Sequence, residues 1–252
     1  MKHNRDDLTK RYTKDIKSAD IWSVFRILAD FTKGFDELGD LGPSVTIFGS
    51  ARTNKNDFYY KESLALTTKL ANRGFNIITG GGPGIMEAAN KGAKENGDVE
   101  SIGLNIDLPF EQVANPYTTK ELSFDYFFSR KVMLVKYSMA YVIFPGGFGT
   151  LDELFEALTL VQTRKVTGVK IFVVGTEFYQ PLIDFIESKL VANGMVDEED
   201  LHLIRMTDDI ECVAKEIEES LLNQIRYLKE VGLENTSYYQ SLLEFLEDKL
   251  LK

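Results

Sequence analysis

Two glycine-rich stretches of the chain combine flexible backbone with polar groups in a way that suits phosphate binding. Residues 80–84 read "GGGPG", and residues 145–150 read "PGGFGT", followed at once by Asp152 and Glu153. Glycine lets backbone N–H groups approach a ligand closely, and the first turn of a helix leaves N–H groups unpaired. Each stretch separates an apolar run from a helical pattern. Both are therefore predicted to be strand-to-helix turns that hold a phosphate.

Neither stretch matches a standard nucleotide motif. The third glycine of G-x-G-x-x-G is replaced by Ile85 when counted from Gly80 and by Asp152 when counted from Gly147, and no G-x-x-x-x-G-K-[ST] is present. One such turn would more simply be a tight connection. Two of them, with "FGSAR" at residues 48–52, favour a mononucleotide site. Its predicted lining residues are Ser50, Gly81, Gly82, Gly84, Met86, Gly146, Gly147, Gly149 and Thr150.

Short β-rich runs alternate with helical patterns, which predicts a doubly wound, mostly parallel α/β sheet of the Rossmann-like kind. The apolar runs are continuous, as is typical of strands covered on both faces. The predicted strands are Val45–Phe48, Phe75–Thr79, Ile102–Ile106, Tyr141–Phe144, Lys170–Val174 and, more weakly, Leu203–Met206. Helices are predicted at about 57–73, 84–96, 129–139, 150–163, 177–192 and 208–229.

Two further helical segments, residues 19–38 and 237–251, carry apolar side chains at helical spacing outside this alternation. They either pack against the sheet layer or form a subunit contact. No linker separates them from the core. The chain is therefore expected to form a single domain over residues 1–252, with a core at about 42–195 and flanking helices within 1–41 and 208–252.

Composition excludes several classes of function. The chain has 252 residues and a formal net charge of -10, which argues against a nucleic-acid surface. No apolar stretch approaches the roughly 18 residues of a membrane span, and the polar N-terminus does not resemble a secretory signal. A single cysteine and two distant histidines argue against disulfides and metal sites. These features predict a cytoplasmic protein without metal, in which local backbone groups must attract any phosphate.

Three segments together resemble the LOG (Lonely guy) family, whose older label is lysine decarboxylase. They are "GGGPGIMEAAN", "SRKVMLVKYS" and "PGGFGTLDELFEALTLVQT", and the resemblance extends from about residue 42 to 195. The segments "FGSAR" and "SIGLNIDLPFEQ" resemble its bacterial branch with an N-terminal extension. Characterised members cut the N-glycosidic bond of AMP or cytokinin nucleotides, giving free base and ribose 5-phosphate. The resemblance implies this reaction, no cofactor, and a homodimer or higher homo-oligomer with the site near the subunit contact.

The resemblance places the two catalytic positions at Arg130 and Glu153. Lys131, next to Arg130, is expected to be a structural or a secondary substrate contact. A second arginine, frequent in the family, is replaced by Lys136. Cleavage develops positive charge on the ribose, which a carboxylate stabilises. Glu153 is expected in the first turn of its helix, where the helix dipole favours the ionised form, so it is expected to act as an anionic stabiliser and base. Thr150 is expected both to cap this helix and to donate to phosphate.

Other candidates and functions stay open at this point. Weaker site candidates are Arg52, Asn105 and Glu111, and Met86 and Phe148 could flank a base, although apolar residues near a turn more often belong to the core. One alternative function is a nucleotide-binding or carrier protein without turnover. Another is a PLP-dependent decarboxylase, but no segment indicates the Schiff-base lysine and pyridinium partner that it needs.

Overall fold

The computed structural model describes residues 21–95, 98–107 and 114–250, and its centre is a seven-stranded sheet. The strands are β1 Ser44–Phe48, β2 Asn76–Thr79, β3 Ser101–Ile106, β4 Lys120–Phe124, β5 Ala140–Ile143, β6 Lys170–Val173 and β7 Ile204–Met206. Their order is β4-β3-β2-β1-β5-β6-β7, and every neighbouring pair is parallel. The predicted doubly wound α/β fold is confirmed.

Helices connect the strands and flank the sheet. They are α1 Ile21–Leu38, α2 Phe58–Asn72, α3 Ile85–Lys94, α4 Phe127–Lys136, α5 Phe148–Gln162, α6 Thr176–Phe185, α7 Ile210–Glu230 and α8 Ser237–Leu250. A π-helical turn, Ile186–Val191, continues α6, and a 3-10 turn, Glu198–Leu203, leads into β7. Within the described ranges, no helix is both long and apolar enough to cross a membrane.

Alternate residues of the central strands supply two hydrophobic cores, one on each face of the sheet. Val142 of β5 packs with α2, α3, α7 and α8, whereas its neighbours Tyr141 and Ile143 pack with α1, α4, α5 and α6. Successive strand side chains point to opposite faces, so burial on both faces demands the continuous apolar runs seen in the sequence. The two cores together fix the loops at the carboxyl ends of the strands.

Strand β4 is absent from the predicted set, for a physical reason. Its segment, "KELSF", buries only Leu122 and Phe124, because it lies at the edge of the sheet. Alternating polar residues at an edge lack the continuous apolar signal of the central strands.

The two flanking helices behave differently. Helix α8 packs on the core through Tyr239 and Leu242, which agrees with the packing alternative. Helix α1 buries Leu38 on the other face but leaves Trp22 and Phe25 exposed. One face of α1 therefore belongs to the fold, and another apolar face stays open to solvent.

Candidate active site

A pocket of about 730 Å³ lies at the carboxyl ends of β1, β2 and β5. Its walls come from residues 48–52 after β1, Gly80 after β2, residues 147–153 after β5, and Phe127 and Arg130 of α4. Strands β1 and β5 are neighbours at the centre of the sheet although they are far apart in sequence. Open α/β sheets bind ligands at such a switch in strand order.

Ser50 joins the three loops that form the pocket. Its backbone N–H donates to the carbonyl of Pro145 at 3.0 Å, and its carbonyl accepts from the N–H of Ile85, also at 3.0 Å. Its hydroxyl accepts from the N–H of Arg52 at 3.0 Å. Ser50 lines the pocket as predicted, and these three hydrogen bonds hold the pocket walls together. Arg52 lines the pocket as well, with an exposed side chain.

The first glycine turn is shaped by residues that stand behind the pocket. Gly81 and Gly84 have φ of +72° and +70°, a region that side chains other than glycine rarely adopt. A Cβ on Gly84 would also collide with the carbonyl oxygen of Ser50. Gly82 is held from behind, since its carbonyl accepts from the side-chain amide of Asn115 at 3.1 Å. These three glycines shape the turn and do not line the pocket.

Two other residues of this turn do line the pocket. Gly80 lies directly beneath the guanidinium of Arg130, where a Cβ would collide, and the sulfur of Met86 lies close by. Ile85, which replaces the third glycine of the G-x-G-x-x-G motif, begins α3 and is fully buried. The turn therefore contributes its first glycine and Met86 to the cavity.

The second glycine turn faces the pocket directly. Gly147 and Gly149 both line it, and a Cβ on either would meet no protein atom within 4 Å. Helix α5 begins at Phe148, and its first turn carries N–H groups without intrahelical partners. Open space in front of these donors and the positive end of the helix dipole make this the strongest anion-binding element of the pocket.

Gly146 and Thr150 each differ from expectation in one respect. The residue that precedes the helix is Gly147, and no side chain caps it, so the prediction that Thr150 caps α5 is wrong. Thr150 is the third residue of the helix, buried against Gly146, and it lines the pocket. Gly146 lies outside the lining, and its lack of a side chain makes room for Thr150.

Arg130 is held in the pocket by β3. Its Nε donates to the carbonyl of Leu104 at 2.6 Å, which leaves the ends of the guanidinium beside Gly80. Burial lowers the pKa of Arg130, and the carboxylate of Glu153 works in the opposite direction. An arginine keeps its proton under these conditions, so the pocket contains a fixed cation with a planar set of donors.

Glu153 lies opposite, on α5, and its environment corrects the expectation from sequence. It is the sixth residue of the helix, beyond the first turn, and only 8% of it is exposed. Burial raises its pKa to about 7, although Lys131 and Arg130 act to lower it. Burial, and not the helix dipole on which the prediction was based, therefore has the largest influence on the pKa of Glu153. Its Oε2 is buried and has no hydrogen-bonding partner among the described residues.

Lys131 pairs with two carboxylates of α5. Its ammonium lies 2.9 Å from Asp152 Oδ2 and 2.9 Å from Glu156 Oε2. Burial works to lower the pKa of Lys131, but its hydrogen bonds to Glu156 and Asp152 outweigh burial, and the pKa is raised. Lys131 does not line the pocket. Lys136, at the position of the family's second arginine, is also outside the lining and lies over the ring of Phe35.

Asp30 positions the start of α4, a role that sequence analysis missed. This α1 carboxylate accepts hydrogen bonds from the N–H groups of Asp125 and Tyr126 and from the hydroxyl of Ser129, at 3.0, 3.2 and 2.7 Å. The turn before Arg130 is thereby fixed. Asp30 lies in α1 among apolar residues at helical spacing, and its hydrogen-bonding partners are more than ninety residues away in the sequence. Local sequence patterns therefore do not indicate its role.

The remaining candidates fall at the edge of the site or outside it. Phe148 is 94% exposed at the rim, together with Phe127. Asn105 is buried beside Gly81 and donates to Glu121 at 2.7 Å, outside the lining. Glu111 lies outside the described residues. In the ranges that the structure describes, no group of three or more His, Cys, Asp or Glu side chains could hold a metal ion.

Comparison with known proteins identifies the family of the chain. A family model described as "Possible lysine decarboxylase" matches residues 86–217, a range that contains Arg130, Glu153 and the second glycine turn. The chain belongs to this family, the LOG family. The expectation drawn from the three sequence segments is confirmed.

Two relatives of the chain carry the names of nucleotide-hydrolysing enzymes. A cytokinin riboside 5'-monophosphate phosphoribohydrolase of Arabidopsis thaliana is 28% identical over 178 residues, which are 68% of this chain and 80% of the relative. A pyrimidine/purine nucleotide 5'-monophosphate nucleosidase of Escherichia coli K12 is 25% identical over 197 residues, which are 73% of this chain and 42% of the relative. These names support hydrolysis of a nucleotide as the general reaction of LOG-family sites, without identifying the nucleotide.

The fold also occurs in a protein of different function. A molybdenum cofactor carrier protein from Chlamydomonas reinhardtii superposes with a TM-score of 0.52 at 20% identity, covering 72% of this chain and 99% of the carrier. At this identity the similarity concerns the fold alone. The residues in the pocket must therefore decide the function.

Proposed function

We propose that the chain hydrolyses the N-glycosidic bond of a nucleoside 5'-monophosphate, releasing the free base and ribose 5-phosphate. The observation that carries the proposal is the buried Oε2 of Glu153, which lacks a protein partner in a pocket that also holds Arg130 and the open turn at Gly147. A buried carboxylate oxygen without a partner is costly, and such a cost is typical of a functional site. The relatives' names support the same chemistry.

The 5'-phosphate would lie at the start of α5. The open positions at Gly147 and Gly149 would let phosphate oxygens approach the backbone N–H groups. Thr150 lines the same pocket, and its hydroxyl would donate a further hydrogen bond to the phosphate. Arg130 offers a planar set of donors for phosphate or ribose oxygens. The protein carries a net charge of -10, so this local arrangement must supply the attraction.

Glu153 would act on the ribose. As the bond to the base breaks, positive charge develops on the sugar, and an adjacent carboxylate stabilises it. A carboxyl with a pKa of about 7 is also suited to accept a proton from the attacking water near neutral pH. The catalytic roles proposed for Arg130 and Glu153 are supported by their burial and opposite charges in one pocket.

Incubation of the purified protein with AMP tests this proposal directly. We expect adenine and ribose 5-phosphate to appear in equal amounts by chromatography. Adenosine should be a much poorer substrate, because it cannot use the phosphate site. A panel that includes other purine and pyrimidine monophosphates and a cytokinin riboside monophosphate would identify the preferred base. The alternative, a carrier without turnover, predicts that a nucleotide binds but that no base is released, and that result would contradict the enzyme.

We further propose that the protein works as a homodimer. Phe155 of α5 is 39% exposed, and Trp22 and Phe25 of α1 are 68% and 55% exposed. Large apolar patches on a soluble protein commonly mark contact surfaces. Multi-angle light scattering at micromolar concentration should give at least twice the chain mass of 28.5 kDa. A monomeric mass would contradict this proposal, whereas the nucleotide assay is independent of it.

A further inference from the structure

Lys131 forms a clamp between α4 and the carboxylates on either side of Glu153. Its ammonium pairs with Asp152, the residue before Glu153, and with Glu156, one helical turn later, at 2.9 Å each. Only 15% of the lysine side chain and 33% of the Glu156 side chain are exposed, so the Lys131–Glu156 pair is screened less than an ordinary surface pair, whereas the Asp152 side chain is 63% exposed. Through these two ion pairs, one side chain of α4 holds the segment of α5 that carries Glu153.

The charges that face Glu153 come from two elements. Arg130 and Lys131 of α4 supply two positive charges, and Asp152 and Glu156 of α5 supply two negative charges. The group is therefore neutral when Glu153 is protonated and has a net charge of -1 when Glu153 is ionised. Removal of the lysine charge would leave two neighbouring carboxylates opposed by Arg130 alone. Ionisation of Glu153 would then become harder.

We propose that Lys131 is a positioning residue, which fixes Glu153 in the pocket chiefly through the less exposed Glu156 and sets the pH range in which that carboxylate works. This inference rests on the proposed function for its kinetic consequence. Of the two roles expected for Lys131, it favours the structural one over a substrate contact, because Lys131 does not line the pocket and its ammonium pairs with Asp152 and Glu156.

Carbon-13 NMR of the glutamate side chains tests the clamp without any substrate. The Glu153 resonance is assigned by its absence in Glu153→Gln, and its titration is followed in the wild-type protein, Lys131→Gln, Lys131→Arg and Glu156→Gln. We expect a wild-type midpoint near the pKa of about 7. The midpoint should rise by about one pH unit or more in Lys131→Gln. It should stay near the wild-type value in Lys131→Arg and fall in Glu156→Gln, which removes a negative charge.

The pH dependence of hydrolysis provides the kinetic test. The acidic limb of kcat should move upward in Lys131→Gln and downward in Glu156→Gln, with KM for the nucleotide changed by less than about threefold. An unchanged Glu153 midpoint in Lys131→Gln would overturn the inference, as would a large rise in KM with an unchanged pH profile. If Lys131→Gln does not fold, Lys131→Met, which keeps the apolar stem but removes the charge, decides the matter by the same midpoint. If no nucleotide is hydrolysed, the proposed function fails and the NMR titration still tests the clamp.

Discussion

Replacement of Glu153 by glutamine should lower turnover of the nucleotide by roughly 10²–10³-fold, the scale of a lost electrostatic group in an active site. Glutamine keeps the shape and the hydrogen-bonding capacity of the side chain but removes its charge. Nucleotide binding should largely survive, because the proposed phosphate site lies at Gly147 and Gly149, on the backbone. Steady-state kinetics and calorimetric binding of AMP to the variant measure the two effects separately.

Asp152→Asn is the matched control, since Asp152 also lines the pocket but 63% of its side chain is exposed. It should reduce turnover at the optimal pH by less than about threefold, because an exposed charge contributes little. Equal damage from the two variants, or near-normal turnover in Glu153→Gln, would show that the wrong carboxylate has been assigned.

Thermal stability distinguishes lost chemistry from lost folding. The pKa of Glu153 is raised from 4.5 to about 7, so the folded state binds more protons than the unfolded state between these values. Wild-type stability should therefore fall as the pH rises through this interval. Glu153→Gln lacks this group, and its melting temperature should show less of this decline. A variant that is as stable as the wild type above pH 7 but inactive has lost chemistry alone.

Much of the fold and part of the site follow from local patterns in the sequence. The central strands are predictable because burial on both faces requires continuous apolar runs. The second glycine turn is predictable because several glycines directly before a helical pattern indicate open backbone at a helix start. Edge strand β4 lacks that apolar signal. The roles of Gly81 and Gly84 are only half predictable, since their positive φ shapes the turn but their position behind the cavity depends on Ser50 and Asn105.

The pKa of Glu153 cannot be predicted from the residues next to it in the sequence. The position of Glu153 along α5 depends on the residue at which the helix begins. Its pKa depends on burial and on the charges of Arg130 and Lys131 in α4. Asp30 shows the same limit, because it fixes α4 from a helix that the sequence places outside the core alternation. Local composition thus predicts where backbone donors lie, whereas the properties of buried acids depend on long-range packing.

Replacement of Gly147 by valine should reduce kcat/KM for AMP by at least about 10²-fold, the effect of losing two charge-assisted hydrogen bonds to phosphate. Its φ of -91° and ψ of -156° lie in the extended region, so the backbone at this position does not forbid the change. A Cβ there meets no protein atom within 4 Å, so the side chain extends into the pocket, where the phosphate would lie. The loss of binding is therefore expected from direct exclusion of the ligand.

The same geometry implies that the fold tolerates Gly147→Val, with a loss of about 1 kcal/mol at the helix start. Gly42→Ala is a control outside the pocket lining, where a Cβ would make an ordinary contact with Asn76 at 3.6 Å, and it should leave kinetics unchanged. Adenosine binding is the second control, because a ligand without phosphate does not need the α5 N–H groups. If Gly147→Val weakened AMP and adenosine equally, or left AMP binding intact, the phosphate would have to lie elsewhere in the pocket.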